Sequence, residues 1–385
     1  MLDHLRVVEL SVWVAGPAAG GVLADWGADV IKVEPPEGDP MRRLFGAIGV
    51  RQTKVPPFEL DNRGKRSIVL DLRSEAGIAA MRKLLETADV FLTNLRVDAL
   101  ERLGLDPKTV RARLPRIVYA SVTGYGLEGP ERDRAGYDIG AFWARSGAAA
   151  TLVPPTEVPP TIRSGYGDHT TGLTVLAGLL GALLERERTG EGRLVEVSLL
   201  GTGIYCMGWD LSILSGFGKI SSTKSRTLAP APLVNCYKTA DDRWFWLLGL
   251  EGDRHWPGLL RSIDRTDLAE GERFSTSVGR RENCAALIAE LDELFATRTF
   301  DEWVERFDAH DVWWAPVNTL RDVLADPQAN AAGMFVEMAG IDGEQYKSVS
   351  TPVRFEPASD HVAAPGRVPA LGEHTAEVLA ELGLS

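Results

Sequence analysis

Sulfur and imidazole are scarce in this sequence: three cysteines, six methionines and six histidines among 385 residues. Cys206, Cys236 and Cys284 stand far apart, no CxxC pair occurs, and no Cys/His spacing matches a zinc site. Neither a disulfide framework nor a metal centre is expected, and the thiols read as reduced and structural, in a cytoplasmic protein. Apolar runs of about 18 residues, the length that crosses a bilayer, are also missing, so no membrane partner is expected. The chain opens directly on Leu5-Arg6-Val7-Val8-Glu9-Leu10, without the charged and then apolar leader of a secretory signal. Basic tails and Lys/Arg runs are absent and the formal net charge is −12, which makes nucleic acid a poor partner. Internal repeats and low-complexity segments are not evident.

What is present is an ordinary globular composition, 44% hydrophobic and 25% charged, on a chain long enough for two domains. Residues 6–10 read as a strand. A helix carrying Ala18, Ala19, Val22, Leu23 and Trp26 follows, Gly27 closes it, and residues 30–34 form the next strand, which makes a βαβ unit. Glu34 ends that strand where a dinucleotide-binding enzyme would hold a ribose. The turn Gly16-Pro17-Ala18-Ala19-Gly20-Gly21, however, lacks the G-x-G-x-x-G that admits a pyrophosphate, which argues against NAD. Residues 37–57 read as loop. Strands at 68–72, 89–93 and 116–122 then alternate with helices at 75–88 and 97–103, the latter ending at Gly104. Such alternation predicts an α/β, Rossmann-like parallel sheet with a ligand crevice at the strand C-termini.

Further on, a turn at 189–192 leads to a strand at 194–198 and a helix at 199–214. The small and polar stretch 216–225 is a linker. From Pro232 the character changes: a hairpin over 235–248 and helices at 256–263, 283–295 and 300–309 describe a small α+β domain. The expected division is a large domain begun by residues 1–200, a linker at 201–228, a small domain at 229–315, and a return over 316–385 that completes the large domain with a last helix near 378–382.

The most informative stretch runs from Thr161 to Leu184. Gly165-Tyr166-Gly167-Asp168-His169 supplies a turn, and helical spacing of Leu173, Val175, Leu176, Leu179, Leu180, Leu183 and Leu184 begins directly after it. On local grounds Asp168 reads as the N-cap of that helix, since an acid before a helix is common.

Other segments, in order, give Asp168 a second meaning: Ala15-Gly16-Pro17, Ala28-Asp29-Val30-Ile31-Lys32-Val33-Glu34, Lys65-Arg66-Ser67-Ile68, Gly136-Tyr137-Asp138 and Leu371-Gly372-Glu373-His374-Thr375. With the Gly167-Asp168 turn, these make the chain resemble the family III CoA-transferases of the formyl-CoA transferase and carnitine CoA-transferase type. That superfamily also holds the 2-methylacyl-CoA racemases. The resemblance implies that CoA moves from an acyl-CoA to a free carboxylic acid, with Asp168 as covalent nucleophile and no permanently bound cofactor. It implies CoA contacts from Val14 and Ala15, from Leu70 and Arg73, from Asn94, Leu95 and Arg102, and from Tyr137. It also implies an interlaced homodimer. Cations for a polyanionic ligand are available at Arg42, Arg43, Arg73, Arg96 and Arg102. Three departures stand out: Pro35 and Ala135 replace basic residues of formyl-CoA-transferase-like members, and their glycine loop over the nucleophile has no counterpart. A racemase is the nearest alternative, but Tyr137 stands where racemases carry a histidine base, and a phenol is a poor base near pH 7. His169 is a candidate substitute, against its plainer reading as an exposed histidine at a helix start. A non-catalytic acyl-CoA-binding protein is the remaining alternative.

Overall fold

Six short strands build the central sheet, five of them with side chains buried on both faces and β6, at the edge, only half-buried. In the computed structural model, which describes residues 1–49, 54–356 and 365–384, the chain runs β1 (Arg6–Leu10), α1 (Ala15–Asp25), β2 (Asp29–Glu34), α2 (Leu44–Ala47), α3 (Pro56–Asn62), β3 (Arg66–Val69), α4 (Glu75–Leu85), β4 (Val90–Thr93), α5 (Val97–Leu103), α6 (Pro107–Arg113), β5 (Val118–Thr123), α7 (Ala148–Thr151), α8 (Tyr166–Thr189), β6 (Leu194–Ser198), α9 (Leu199–Cys206) and α10 (Gly208–Phe217). All pairings are parallel, in the order β3-β2-β1-β4-β5-β6. This is the doubly wound order, and it matches the expected α/β fold.

Alternation along each strand divides the core. Val7, Val30, Val90, Leu92 and Ala120 face α1 and α8, which contribute Ala15, Ala19, Leu23, Val175, Leu176 and Leu179. Val8, Ile31, Phe91 and Tyr119 face the other way, onto Met81 and Leu84 of α4, Leu100 of α5 and Val110 of α6. That second layer is finished from far along the chain, by Val378 and Leu382 in and just after the helix at Thr375–Glu381.

The chain divides into two compact units, Met1–Ala149 with Pro160–Ile220 and Ala331–Ser385 in the first, and Ala150–Pro159 with Ser221–Asn330 in the second. The second holds an antiparallel sheet of β7 (Cys236–Lys238), β8 (Trp244–Leu247) and β9 (Trp314–Pro316). Its core of Tyr237, Phe245, Phe295, Trp303 and Phe307 is drawn from that sheet and from helices at Cys284–Phe295 and Phe300–Ala309.

Three local readings are corrected. The stretch read as loop over 37–57 contains a 3-10 turn at Pro40–Arg43, helix α2 and the start of α3; residues 50–53 of it lie outside the described residues. Pro56 and Pro57 open α3, where proline's missing N–H costs nothing. The helix read over 199–214 is two, interrupted at Met207. A hairpin of β10 (Phe335–Ala339) and β11 (Gln345–Val349) passes unread in the sequence.

Beneath the first turns lies a lattice of ions with no exposure to solvent. Glu9 of β1 accepts from Lys32 of β2 at 3.0 Å and from Lys65 at 2.7 Å. Lys32 also reaches Asp39 at 3.0 Å and donates to the Ser11 carbonyl at 2.9 Å. Asp39 in turn accepts the N–H of Trp13 at 3.2 Å. Burial alone would raise the Glu9 carboxyl, but Lys65 and Lys32 hold it below the usual range. Glu34, the acid a dinucleotide would need, accepts from Arg42 at 2.7 Å, Ser67 at 2.6 Å and the Asp39 N–H at 2.9 Å. It is thus committed inside the fold. Replacing Lys32 by Met leaves Glu9 and Asp39 buried with their shared cation gone, and urea denaturation is expected to show a loss of ~3–5 kcal/mol. A loss under ~1 kcal/mol would mean that water reaches the lattice.

Candidate active site

The sheet's order reverses between β1 and β4. α1 leaves β1 toward one face, α5 leaves β4 toward the other, and the crevice this opens at the strand C-termini is where α/β sheets bind ligands. A cleft of about 270 Å³ occupies it. Val12, Trp13 and Ala15 line it after β1, Asn94, Leu95 and Arg96 after β4, and Thr123 and Gly124 at the end of β5, with Tyr137 and Asp168 completing the wall.

Two devices shape these loops. The Asn94 amide accepts the Val12 N–H at 2.9 Å and donates to the Val12 carbonyl at 2.6 Å, stapling the turns after β1 and β4 together. Trp13 holds a left-handed φ of 65°, uncommon for an aromatic residue, with its N–H on Asp39; its ring meets Tyr137 edge-on at 6.0 Å.

Asp168 is not the cap of α8. The helix begins two residues earlier, at Tyr166, and its N-cap is Gly165 at φ 83°. The capping carboxylate comes from elsewhere: Asp138 accepts the Gly165 N–H at 3.1 Å and the Ile139 N–H at 2.8 Å. Gly167 permits this approach, since a Cβ there would lie 2.6 Å from the Phe142 ring and 2.9 Å from the Asp138 Cβ. Asp168 is therefore in the first turn, facing the cleft, and its carboxylate has no hydrogen-bond or ion-pair partner among the described residues. Burial, reinforced by the charges of Asp138 and Asp61 and eased by His169, pushes its carboxyl up to about 7. The adjacent His169 points away from the cleft, with Nε2 3.0 Å from Asp61 Oδ1 and its side chain 45% exposed, so it is no cleft base; the plainer reading of an exposed histidine at a helix start stands, with an acid partner added.

Of the residues expected to meet CoA, the structure gathers Ala15, Asn94, Leu95 and Tyr137 around Asp168. Val14 packs instead against the cluster of Met41 and Phe58, and Leu70 is buried in the second layer of the core. Arg73 is exposed and paired with Asp71 at 2.8 Å, and Arg102 with Asp98 at 2.8 Å; neither lines the cleft. The cations that do line it are Arg96, Arg132 and Arg134. Arg132 is paired with Asp133 and Glu101, Arg134 with Glu131, and the Arg96 guanidinium is unpaired among the described residues. Arg132 and Arg134 went unread because Glu131-Arg132-Asp133-Arg134 alternates in sign and looks like a solvated turn. Cys206 and Cys236 stand outside the lining, and the three cysteines are free thiols.

Fold and cleft together define a doubly wound α/β protein whose switch-point crevice presents one carboxylate without a partner among several cations. The family model described as CoA-transferase family III matches residues 2–375. The (R)-2-hydroxy-4-methylpentanoate CoA-transferase of Clostridioides difficile is 33% identical over all of this chain and 96% of its own. The succinate–glutarate CoA-transferase of Agrobacterium fabrum is 33% identical, over 99% of this chain and 95% of its own. A crystal structure of a CAIB/BAIF family protein from Brucella suis superposes with a TM-score of 0.86 at 33% identity, covering 99% of both chains. The chain belongs to CoA-transferase family III and is an enzyme of that activity.

An acid whose folded value lies above its unfolded one favours folding while protonated. The cost of holding Asp168 ionised is absent below about pH 4, grows as pH rises toward 7, and is complete above it. Asp168→Asn removes that cost. Urea denaturation at pH 8.5 is expected to show a variant more stable than wild type by ~1–3 kcal/mol, with the gain vanishing at pH 4. A variant less stable at both pH values would return Asp168 to a capping role.

Proposed function

We propose that Asp168 is the covalent nucleophile of CoA transfer between an acyl-CoA thioester and a free carboxylic acid. The observation that carries this reading is the Asp168 carboxylate at the switch-point cleft, without a partner among the described residues. One Asp168 oxygen attacks the thioester carbonyl and the C–S bond breaks, giving a mixed anhydride and CoA thiolate. The thiolate attacks the aspartyl carbonyl and expels the donor carboxylate, leaving an aspartyl-CoA thioester. The acceptor acid then runs both steps in reverse. The His169 N–H is committed to the Gly165 carbonyl at 2.8 Å and the Tyr166 N–H to the Arg163 carbonyl at 3.2 Å, which leaves the Gly167 and Asp168 N–H groups of the α8 entrance as the candidate donors to a developing oxyanion.

Arg96, Arg132 and Arg134 are the cations that suit the phosphates of CoA at the cleft, with Arg96 the foremost because no acid claims it. Arg73 and Arg102 serve only a ligand that extends beyond the cleft, as the adenosine end of CoA would. The two reported CoA-transferases act on different acids at equal identity, so the acid pair is not carried over from them.

We also propose a homodimer, interlaced as the family resemblance implies. Helix α10 buries none of its residues, and Tyr205, Trp209 and Phe217 are 87%, 82% and 77% exposed. Apolar exposure on this scale marks an interface. Sedimentation at nanomolar concentration is expected to give twice the mass of one chain, and a folded, active species of one chain would refute the dimer.

Asp168→Ala is expected to abolish transfer, and wild-type protein incubated with acyl-CoA is expected to carry covalent mass on the peptide containing Asp168. Wild-type kcat/KM for acyl-CoA is expected to rise with pH through an inflection near 7, as Asp168 ionises. Arg96→Ala is expected to raise KM for acyl-CoA by about 10-fold with kcat within about 3-fold, since a charge-assisted contact to a remote group adds about 1.5–3 kcal/mol of uniform binding. Transfer by Asp168→Ala at wild-type rates would overturn the nucleophile.

A further inference from the structure

Residues 168 and 169 leave the first turn of α8 in opposite directions. Asp168 faces the switch-point cleft, and His169 faces a second cleft of about 400 Å³ on the other side, walled by Ala18, Val22, Leu60, Asp61 and Leu173. The His169 ring lies over the Gly165 turn, where a Cβ on Gly165 would meet Nδ1 at 3.4 Å. Its Nε2 is 3.0 Å from Oδ1 of Asp61, whose side chain is only 5% exposed. A buried carboxylate needs a cation, and His169 supplies it.

We propose that the Asp61–His169 pair is a positioning device for Asp168: Asp61, set by α3, fixes an imidazolium at the entrance of α8, and that charge partly offsets the neighbouring Asp138 so that Asp168 ionises more readily. The proposal rests on the reading of Asp168 as nucleophile. Its charges can be named from each side. Asp138 faces Asp168 from the segment before α7, and Asp61 acts on both Asp168 and His169 from α3. Lys65 lies within electrostatic reach of Asp61 from the start of β3, and the Asp25–Arg63 ion pair, at 2.7 Å, lines the second cleft. The hydrogen bond to Asp61 is the largest influence on His169 and raises it above the ordinary histidine value, with the Asp61 and Asp168 charges adding to that; His169 in turn lowers Asp168. The arrangement answers a chemical need. Burial that makes a carboxylate reactive also protonates it, and a protonated acid cannot attack a thioester.

The test separates this device from the nucleophile it serves. Release of the donor acid from acyl-CoA in a single turnover, which leaves the aspartyl-CoA thioester, is followed from pH 5.5 to 9 for wild type, His169→Gln and Asp61→Asn. Asp168 itself is titrated by NMR of 13Cγ-labelled aspartate, its signal assigned by its loss in Asp168→Asn. In His169→Gln the Asp168 inflection is expected to move up in pH, costing about 3- to 10-fold in rate at pH 6 and less than about 2-fold at pH 9. Asp61→Asn removes the partner that keeps the imidazole charged but also its own negative charge on Asp168, so its inflection is expected to lie between those of wild type and His169→Gln. His169→Lys, which restores a cation without an imidazole, is expected to return the acid limb toward wild type. Loss of rate by the same factor at every pH, or an Asp168 signal that titrates identically in His169→Gln, would overturn the proposal. Movement of the NMR titration without movement of the rate profile would uphold the positioning and overturn the nucleophile instead.

Discussion

The buried Glu9–Lys32–Asp39 chain is the constraint on which the crevice depends. Ions withdrawn from water tolerate little freedom of geometry, because each lost contact leaves a charge without compensation. Lys32 ties the end of β1 to the turn after β2 through Glu9, the Ser11 carbonyl and Asp39, and Asp39 then fixes the N–H of Trp13. The left-handed Trp13 is thereby anchored from beneath, and with it the first wall of the cleft. A hydrophobic substitute could fill the same volume, yet it would not specify the path of Ser11 to Trp13.

At the far wall one acid does two things. Asp138 closes the entrance of α8 through Gly165 and, by its proximity, makes ionisation of Asp168 harder. The helix is thus started by a side chain remote in sequence, which frees the residue in its own first turn for chemistry. Pairs of acids with separated tendencies to ionise are a recurring solution where one must hold structure and the other must react. Here two backbone N–H groups hold Asp138 in its structural place, while Asp168, without a partner among the described residues, is raised chiefly by burial.

Much of the frame was legible in the sequence. Short apolar strands alternating with helices announced a parallel sheet, and Gly104, at φ 64°, ends α5 where the pattern placed it. The Gly167-Asp168 turn located the acid proposed as the nucleophile. Its environment was not legible: the cap of α8 lies 27 residues upstream of Gly165, and no local pattern announces a partner at that separation. Arginines misled for a related reason. Arg73 and Arg102 look like free cations in sequence, but each folds back on an acid two or four residues away, while Arg132 and Arg134, which read as surface turn, line the cleft. The β10–β11 hairpin was missed because its strands are half exposed and short, and part of its support is Glu59, which accepts from Tyr346 at 2.7 Å across nearly the whole chain.

The late arrival of the helix at Thr375–Glu381 bears on how the chain reaches this state. On the ribosome, all residues of the second unit have emerged once Asn330 is made, whereas the sheet of the first unit still lacks the helix that covers Met81 and Leu84. Arg6 and Arg66, near the two ends of the β3-β2-β1 group, wait equally for Glu381. Until those residues are made the second layer of the core keeps a gap beside β3, where Val378 and Leu382 belong, although α4, α5 and α6 already cover the rest of that face.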